Sequence, residues 1–155
     1  MKLRKATNND LLFLFNLRNE HKSVKYSKRG KLKLEEVEKD YLCNQNKKVY
    51  IAENNHKPVG YLVFEYLDEN VFEISVAISF EERGKGLGKL LVKSGTDFAK
   101  KDLRAKRIIA KIFPKNLSSL KIFQDCKYMI TNKKTEPWQL VFCNRDIESD
   151  SIFIF

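Results

Sequence analysis

Apolar residues recur along the chain at two spacings, one typical of strands and the other typical of helices. Strands are predicted at residues 2–6, 49–53, 58–67, 71–79, 107–113, 128–132 and 138–143, and helices at 8–22, 34–44, 87–102 and 116–125. Segment 23–33 is basic and has no clean period, which is typical of a loop or a distorted helix. Thr7 is placed to cap the first helix, because Asp10 follows it three positions later, as in a capping box.

The order of these elements, β-α-α-β-β-β-α-β-α-β-β, indicates the fold class. Three successive strands joined by short turns form an antiparallel meander, and the strand-helix-strand unit after it needs a crossover. We therefore predict an α/β fold, with a mixed, mostly antiparallel sheet of about six or seven strands flanked by helices. Residues 1–143 form a single domain in this interpretation, and residues 144–155 form a C-terminal extension, which is an extra strand, a dimer contact or a tail.

The strand predicted at 71–79 presents two different faces. Phe72, Ile74, Val76 and Ile78 lie on one face, and Val71, Glu73, Ser75 and Ala77 lie on the other. A carboxylate set among small residues is a candidate site feature, and an ordinary half-exposed sheet face has the same pattern. Glu73 is therefore a candidate for chemistry, with a structural ion pair as the alternative.

Composition excludes several classes of protein. With 43% hydrophobic residues, 6 glycines and 3 prolines among 155 residues, the chain is neither disordered nor collagen-like. We expect no membrane span, which needs about 18 apolar residues in a run, and no secretory leader. The 3 cysteines form no CxxC pair. We therefore expect no metal site, and small buried cysteines in a reduced, cytoplasmic protein.

The net charge of +10 attracts anions. Nucleic acid, a membrane surface, a phosphate-rich cofactor and an acidic substrate are all compatible with it, as is a merely solvated lysine-rich surface. A nucleic-acid-binding protein is the weakest of these hypotheses, because we find no recognition motif and no interleaving of aromatic with basic residues.

The segment Arg83-Gly84-Lys85-Gly86-Leu87-Gly88-Lys89 lies between a predicted strand and a predicted helix. Glycines permit a tight turn and a close approach of a ligand to the backbone. A helix start adds unpaired N–H groups at the positive end of the helix dipole. The segment thus predicts either a diphosphate cradle or a plain glycine-rich turn. Two common phosphate loops do not fit, because a Walker A loop needs glycine at Arg83 and a GxGxxG loop needs glycine at Lys89.

The pattern Arg83-x-x-Gly86-x-Gly88 resembles the acyl-CoA-binding motif of the GNAT family of N-acetyltransferases. Segment 73–88 is similar to the family's fourth strand and the loop after it. Downstream, Asn116-x-x-Ser119-x-x-x-Phe123-x-x-x-x-Tyr128 is similar to its second cofactor segment, and the element order matches over residues 1–143. The resemblance implies the GNAT acyl-CoA N-acyltransferase fold and an N-acetyltransferase with acetyl-CoA as co-substrate.

The resemblance also implies where the cofactor binds. The fourth and fifth strands would diverge, and the pantetheine arm would lie between them against the main chain of Ile78 and Phe80. The amides of 83–88 would bind the diphosphate, and Asn116 would hydrogen-bond the arm or act as a simple N-cap. The implied cofactor-binding residues are Ile78, Phe80, Arg83, Gly84, Lys85, Gly86, Leu87, Gly88, Lys89, Asn116, Ser119 and Phe123.

The implied reaction is direct attack of an amine on the thioester, without an acyl-enzyme. An alkyl amine is protonated at neutral pH, so a base must remove a proton, and Glu73 is the candidate general base. Many relatives carry a tyrosine at the position of Phe123 as the proton donor to the departing thiolate, and phenylalanine has no proton to give. Ser119, Tyr128 and water are alternatives, and the general acid stays unassigned.

The acceptor is the least determined part of the prediction. Residues 17–27 resemble members that act on nucleotide-linked amino sugars, and similar segments occur in acetyltransferases of ribosomal-protein N-termini. The implied acceptor-binding residues are Arg18, Asn19 and Tyr26. A basic loop containing Lys22, Lys25, Lys28, Arg29 and Lys31 suits an anionic acceptor, and a solvated basic loop is the alternative. A non-catalytic CoA-binding module is the competing hypothesis for the whole chain.

Overall fold

A computed structural model describes residues 1–148 and contains one mixed sheet in the strand order β1-β2-β3-β4-β5-β7-β6. The strands are β1 (Lys2–Lys5), β2 (Lys47–Asn54), β3 (Lys57–Asp68), β4 (Val71–Ile78), β5 (Arg107–Ile112), β6 (Met129–Asn132) and β7 (Trp138–Cys143). All neighbours are antiparallel except β4 and β5, which are parallel. The predicted fold class is confirmed.

Six α-helices occur within residues 1–148 and cover the two faces of the sheet. They are α1 (Leu11–Arg18), α2 (His21–Lys25), α3 (Leu34–Val37), α4 (Leu87–Lys101), α5 (Leu117–Asp125) and α6 (Arg145–Glu148). Buried Leu91, Val92 and Ala99 of α4 pack on one face of the sheet, in the larger apolar cluster. Leu14 and Val37, from α1 and α3, belong to a smaller cluster on the other face. The sheet is therefore the middle layer of the domain.

The pairing of β4 with β5 is short, and this opens a gap in the sheet. Val71, Phe72 and Glu73 pair with 107–109, after which β4 continues to Ile78 without a partner on that side. The Ser79 N–H donates to Val59 O of β3 at 2.9 Å. Because successive residues of a strand point their main-chain groups to opposite sides, the N–H and C=O groups of Ile78 face the gap.

Two predicted helices are interrupted, so their predicted extents are wrong. A 3-10 turn (Asn8–Asp10) and α1 replace the first part of the helix predicted at 8–22, and the chain then bends at Asn19-Glu20 before α2. The bend is held by the Asn19 side chain, which donates to Leu32 O at 2.9 Å and accepts from Leu32 N at 2.8 Å. The helix predicted at 34–44 is one turn of α3 followed by a π-helical turn, Glu38–Leu42.

The cap of the first helix agrees with its prediction, whereas the burial of the cysteines does not. The Thr7 N–H donates to the Asp10 carboxylate at 2.8 Å, which confirms the predicted cap. The cysteines are not buried hydrophobes, because Cys43 and Cys143 are exposed and Cys126 is half-buried, and all three are free.

The C-terminal extension was predicted to be a strand, a dimer contact or a tail, and residues 149–155 lie outside the described residues. The part that is described begins with α6, so residues 145–148 are helical rather than extended. A homodimer stays a prediction. None of the helices within residues 1–148 is long and apolar enough to cross a membrane.

Candidate active site

The glycine-rich turn after β4 has the backbone that its sequence predicts. Gly84 and Gly86 have φ angles of +76° and +79°, a region that side chains other than glycine adopt at a cost. A Cβ at either position would meet nothing within 4 Å. Backbone conformation, rather than lack of space, therefore requires glycine here, and the turn leads directly into α4 at Leu87.

Of the peptide N–H groups predicted to bind the diphosphate, that of Arg83 is already engaged, because it donates to Phe80 O at 3.3 Å. The peptide N–H groups of residues 84–89 donate to no protein acceptor in the part of the chain that the structure describes. The first such bond after the turn runs from Leu90 N to Gly86 O at 3.2 Å. These free donors lie at the positive end of α4, which is 15 residues long. Free N–H groups at a helix start attract anions, so the turn is ready to bind a phosphate or diphosphate.

The basic side chains of the turn are already paired with carboxylates. Lys85 Nζ contacts Glu82 Oε2 at 3.0 Å, and Lys89 Nζ contacts Asp125 Oδ2 at 3.3 Å. Lys85, with Lys57 as a second partner, lowers the pKa of the Glu82 carboxyl below its ordinary value. These pairs are exposed on the lysine side, so an incoming anion can compete for the ammonium groups.

Two residues expected along the pantetheine arm lie at the mouth of the gap beside β4. Ile78 O accepts a hydrogen bond from Arg83 Nε at 3.0 Å, and Phe80 N donates to Glu20 Oε1 at 3.3 Å. The Phe80 ring is 74% exposed, and the Arg83 guanidinium lies 5.8 Å from its centroid. The main-chain groups predicted to meet the cofactor are thus held by side chains of the protein itself.

Asn116, on the opposite side of the gap, precedes α5 and caps it with its carbonyl, which accepts from Leu120 N at 3.1 Å. The Asn116 side-chain oxygen accepts from Ser118 Oγ at 3.3 Å. Within the described residues its amide nitrogen has no hydrogen-bond partner, so it is available to a ligand. Ser119 is half-buried one turn further on.

Phe123 and Leu87, also expected in the cofactor-binding set, are core residues. Phe123 is 4% exposed and packs edge-on against Tyr128, with ring centroids 4.9 Å apart. Leu87 is 9% exposed, and a Cβ at Gly88 would lie 3.2 Å from Ile122 of α5. These positions shape the wall behind the turn through packing.

Tyr128 was one alternative for the proton donor, and its surroundings do not suit that role. Its hydroxyl is bonded to Thr96 Oγ1 at 2.8 Å inside the domain, and the ring is 2% exposed. Burial raises the pKa of Tyr128 above its ordinary value. The hydroxyl therefore ties α4 to the segment before β6.

Glu73 is the last residue of β4 that pairs with β5, so it stands where the gap opens. Its carboxylate contacts Lys111 Nζ at 3.1 Å, and its side chain is 19% exposed. Glu65 lies directly opposite on β3, and on the same face Ser75 and Ala77 follow Glu73 toward the turn. The structure thus gives Glu73 both an ion pair and a position at the head of the gap.

The three residues expected at the acceptor have different surroundings. Arg18 is buried and donates to Gly30 O at 3.1 Å and Ser27 Oγ at 2.7 Å, and Asn19 holds Leu32 as described above. Both side chains thus order the loop after α2. Tyr26, by contrast, lines a cavity and donates from its hydroxyl to Lys115 O at 3.3 Å.

This cavity is an open depression of the surface, with a volume of about 380 Å³, between α2 and the start of α5. Its walls include Lys22, Lys25, Tyr26, Lys115, Asn116 and Ser118. No carboxylate lines it, and its lysines form no ion pair within residues 1–148. Lys22 Nζ lies 2.8 Å from Ser118 Oγ, and desolvation, followed by the charge of Arg83, lowers the pKa of Lys22. The cavity is an unneutralised basic site beside Asn116.

Glu20 and Lys115 were not among the predicted site residues. Glu20 lies 63 residues from its partner Arg83, and no spacing in the sequence connects the two. Lys115 joins Lys22 and Lys25 only through the packing of α2 against the β5–α5 connection. Among residues 1–148, no group of three His, Cys, Asp or Glu side chains is arranged to hold a metal ion.

Solved structures with closely similar folds include two kinds of acetyltransferase. Aminoglycoside acetyltransferase AAC(6')-Ib, in a complex with coenzyme A and kanamycin, is 23% identical, with a TM-score of 0.79, and the match covers 97% of this chain and 98% of that chain. Spermidine N-acetyltransferase from Vibrio cholerae, with CoA and spermine, is 16% identical, with a TM-score of 0.79 and coverage of 93% and 95%.

A domain from Methanocaldococcus jannaschii is 27% identical, with a TM-score of 0.80 and coverage of 92% of this chain and 97% of that chain. A search of the curated proteins found no match.

A family model described as "Acetyltransferase (GNAT) family" matches residues 12–128, which include the turn, the gap, Asn116 and Phe123. The match covers most of the described domain and confirms both the predicted family and the predicted class of enzyme, an acetyltransferase. The free N–H groups of the turn and the divergence of β4 from β5 agree with that assignment. The chain therefore belongs to the acetyltransferase (GNAT) family.

Proposed function

We propose that this protein transfers an acetyl group from acetyl-CoA to a primary amine by direct attack within a ternary complex. The observation that carries the proposal is the row of free peptide N–H groups at 84–89, next to the gap that opens in the sheet beside Ile78. The turn suits the diphosphate of the cofactor, and the gap suits its extended arm. Structural neighbours solved with coenzyme A support the assignment. The free cysteines fit a cytoplasmic enzyme.

In the proposed step, the nitrogen lone pair attacks the thioester carbonyl, a C–N bond forms, and the C–S bond breaks to release a thiolate. The amine must first lose a proton, because an alkyl amine of pKa near 10 is protonated at neutral pH. Glu73 is our candidate for the general base that accepts this proton through a water in the gap, because Glu73 lies where β4 and β5 separate.

No side chain is assigned to protonate the thiolate. Phe123 has no acidic hydrogen, and the Tyr128 hydroxyl is bonded to Thr96 in the core. A thiol of pKa about 8.5 is a fair leaving group without protonation. We therefore propose that the thiolate departs unaided and takes its proton from solvent.

The cavity beside Asn116 favours an anionic acceptor. Lys22, Lys25 and Lys115 bring positive charge that no carboxylate of the described residues neutralises. A polycation such as the kanamycin or spermine of the neighbouring structures would be repelled there. A phosphate or diphosphate would be attracted, so we propose an amino-sugar nucleotide as the acceptor, with Tyr26 at the cavity wall.

Release of free thiol from acetyl-CoA tests the proposal directly. The assay compares an amino-sugar nucleotide, the same amino sugar without phosphate, spermine, kanamycin and a peptide with a free N-terminus. We expect the nucleotide-linked sugar to give the highest kcat/KM and the polycations the lowest. Binding of acetyl-CoA without thiol release for any amine would instead support a non-catalytic CoA-binding module, which the absence of a hydroxyl at Phe123 favours.

Glu73→Gln is expected to lower kcat about a hundredfold, because a positioned general base contributes roughly 10²–10⁴ to the rate. The Kd for acetyl-CoA should change little, since the carboxylate acts on the amine. Glu65→Gln is the matched control, because Glu65 lies opposite Glu73 on the same face. An equal loss in both variants, or none in Glu73→Gln, would contradict the assignment of the base.

A further inference from the structure

A set of hydrogen bonds joins the α1–α2 bend to the turn after β4. Glu20 Oε2 accepts from the Arg83 guanidinium at 2.7 Å, and Glu20 Oε1 accepts from Phe80 N at 3.3 Å. Arg83 also donates to Ile78 O at 3.0 Å. We call these three bonds the Glu20 latch. The side chains of Glu20 and Arg83 are 27% and 26% exposed, so a solute can reach them.

The latch occupies groups that a thioester carrier would need. The main-chain groups of Ile78 face the gap beside β4, and its carbonyl is taken by Arg83. Arg83 begins the turn whose N–H groups are free, yet its positive charge is directed to Glu20 rather than to that turn. Glu20 thus provides the carboxylate with which the Arg83 guanidinium is paired.

A diphosphate is a stronger partner for a guanidinium than one carboxylate is, because it carries more charge and more acceptor oxygens. Turning toward a diphosphate on the turn would therefore break the bond of Arg83 to Glu20. Glu20 immediately precedes α2, which contributes Lys22 and Tyr26 to the basic cavity. Breaking the latch therefore changes the acceptor side of the site.

We propose that Glu20 competes with the cofactor's diphosphate for Arg83, so that binding of the cofactor breaks the Glu20 latch. The inference rests on the proposed function, because it takes acetyl-CoA as the ligand of the turn. Glu20 is in this proposal a positioning residue that lowers the affinity of the free enzyme for its cofactor.

The test is the Kd for CoA, measured by calorimetry without acceptor. Glu20→Gln should bind CoA about tenfold more tightly than the unchanged protein, since a charged competitor for Arg83 is gone. Glu81→Gln is the charge-matched control, because Glu81 is exposed two residues before Arg83 and has no contact with Arg83 in the described part of the chain. The Kd of Glu81→Gln for CoA should stay within about twofold of that of the unchanged protein, because only a long-range charge interaction, which salt screens, is altered.

A double-mutant cycle separates the latch from a general effect of charge. In an Arg83→Met background, Glu20→Gln should no longer tighten binding, because the competition acts through the guanidinium.

The proposal is overturned if Glu20→Gln binds CoA no more tightly than the unchanged protein does. It is also overturned if Glu20→Gln tightens CoA binding equally in the Arg83→Met background. Both results differ from a failure of the proposed function, in which the unchanged protein would not bind CoA at all. Thermal unfolding of each unliganded variant checks that the fold is intact.

Discussion

Gly86→Val is expected to raise the Kd for CoA about a hundredfold, since two lost hydrogen bonds to a charged ligand are together worth about 3 kcal/mol or more. Gly86 has a φ angle of +79°, and a β-branched residue does not adopt that conformation without strain. The turn must therefore rebuild, and the N–H groups of 84–89 would no longer converge on one anion.

Gly30→Val is the matched control for backbone strain. Gly30 has a φ angle of +66°, and a Cβ there would also meet nothing within 4 Å. Both variants should lose a similar 1–2 kcal/mol of unfolding free energy, roughly the cost of a left-handed residue, but Gly30→Val should keep its affinity for CoA. Equal losses of affinity would show that the effect of Gly86→Val comes from general destabilisation.

Gly60→Ala is expected to lower the free energy of unfolding by about 3 kcal/mol, at the upper end of the range for overpacked sites. A Cβ at Gly60 would overlap the Ala77 carbonyl oxygen and would lie 2.8 Å from Ile78 Cδ1. Because the obstacle is backbone, strands β3 and β4 would have to move apart at the end that carries Ile78.

Gly95→Ala provides the comparison, since its nearest neighbours are the Leu62 methyl groups at 2.9 and 3.1 Å. Those methyls belong to a side chain that can shift, and alanine favours the helix by about 1 kcal/mol over glycine. Urea unfolding of both variants should therefore show a smaller loss for Gly95→Ala, by about 2 kcal/mol. A loss in Gly60→Ala no larger than in Gly95→Ala would contradict the close approach of β3 to β4.

The central part of the fold follows from sequence because its signals are local. The alternation of Phe72 and Ile74 with Glu73 predicted the two faces of β4, and the register of β3 with β4 agrees. The bounds of the glycine-rich turn and of α4 were predicted within a residue or two. Glycines followed by apolar residues at helical spacing indicate a turn that leads into a helix.

The N-terminal half was harder to predict because tertiary contacts decide it. Apolar spacing over 8–22 continues smoothly past the bend, and the bend depends on the Asn19 amide holding Leu32, thirteen residues away. The helix that begins at Leu34 likewise changes to a π-helical turn after one turn, and Asp40 in that π-helical turn contacts Lys47 at 2.8 Å. Spacing rules contain no information about such partners.

The backbone groups of the candidate site could be predicted from the sequence, whereas its contacts between charged side chains could not. Free N–H groups at a helix start follow from the sequence of 83–89, whereas the contact of Glu20 with Arg83 joins residues 63 positions apart. The lysine-lined cavity was foreseen only as a basic loop, because Lys115 reaches it from a different element. Arg18 and Asn19, implied at the acceptor, hold the loop after α2, and their binding of an acceptor stays a prediction.

The most direct test of the whole account is the response of backbone amides to the cofactor in ¹H–¹⁵N NMR spectra. On addition of acetyl-CoA, the amides of 84–89 should show the largest shifts and the greatest slowing of solvent exchange, and acetyl-pantetheine, which lacks the diphosphate, should leave them nearly unchanged. If acetyl-CoA binds with its largest shifts elsewhere, or if acetyl-pantetheine moves the same amides equally, then this turn does not bind the diphosphate.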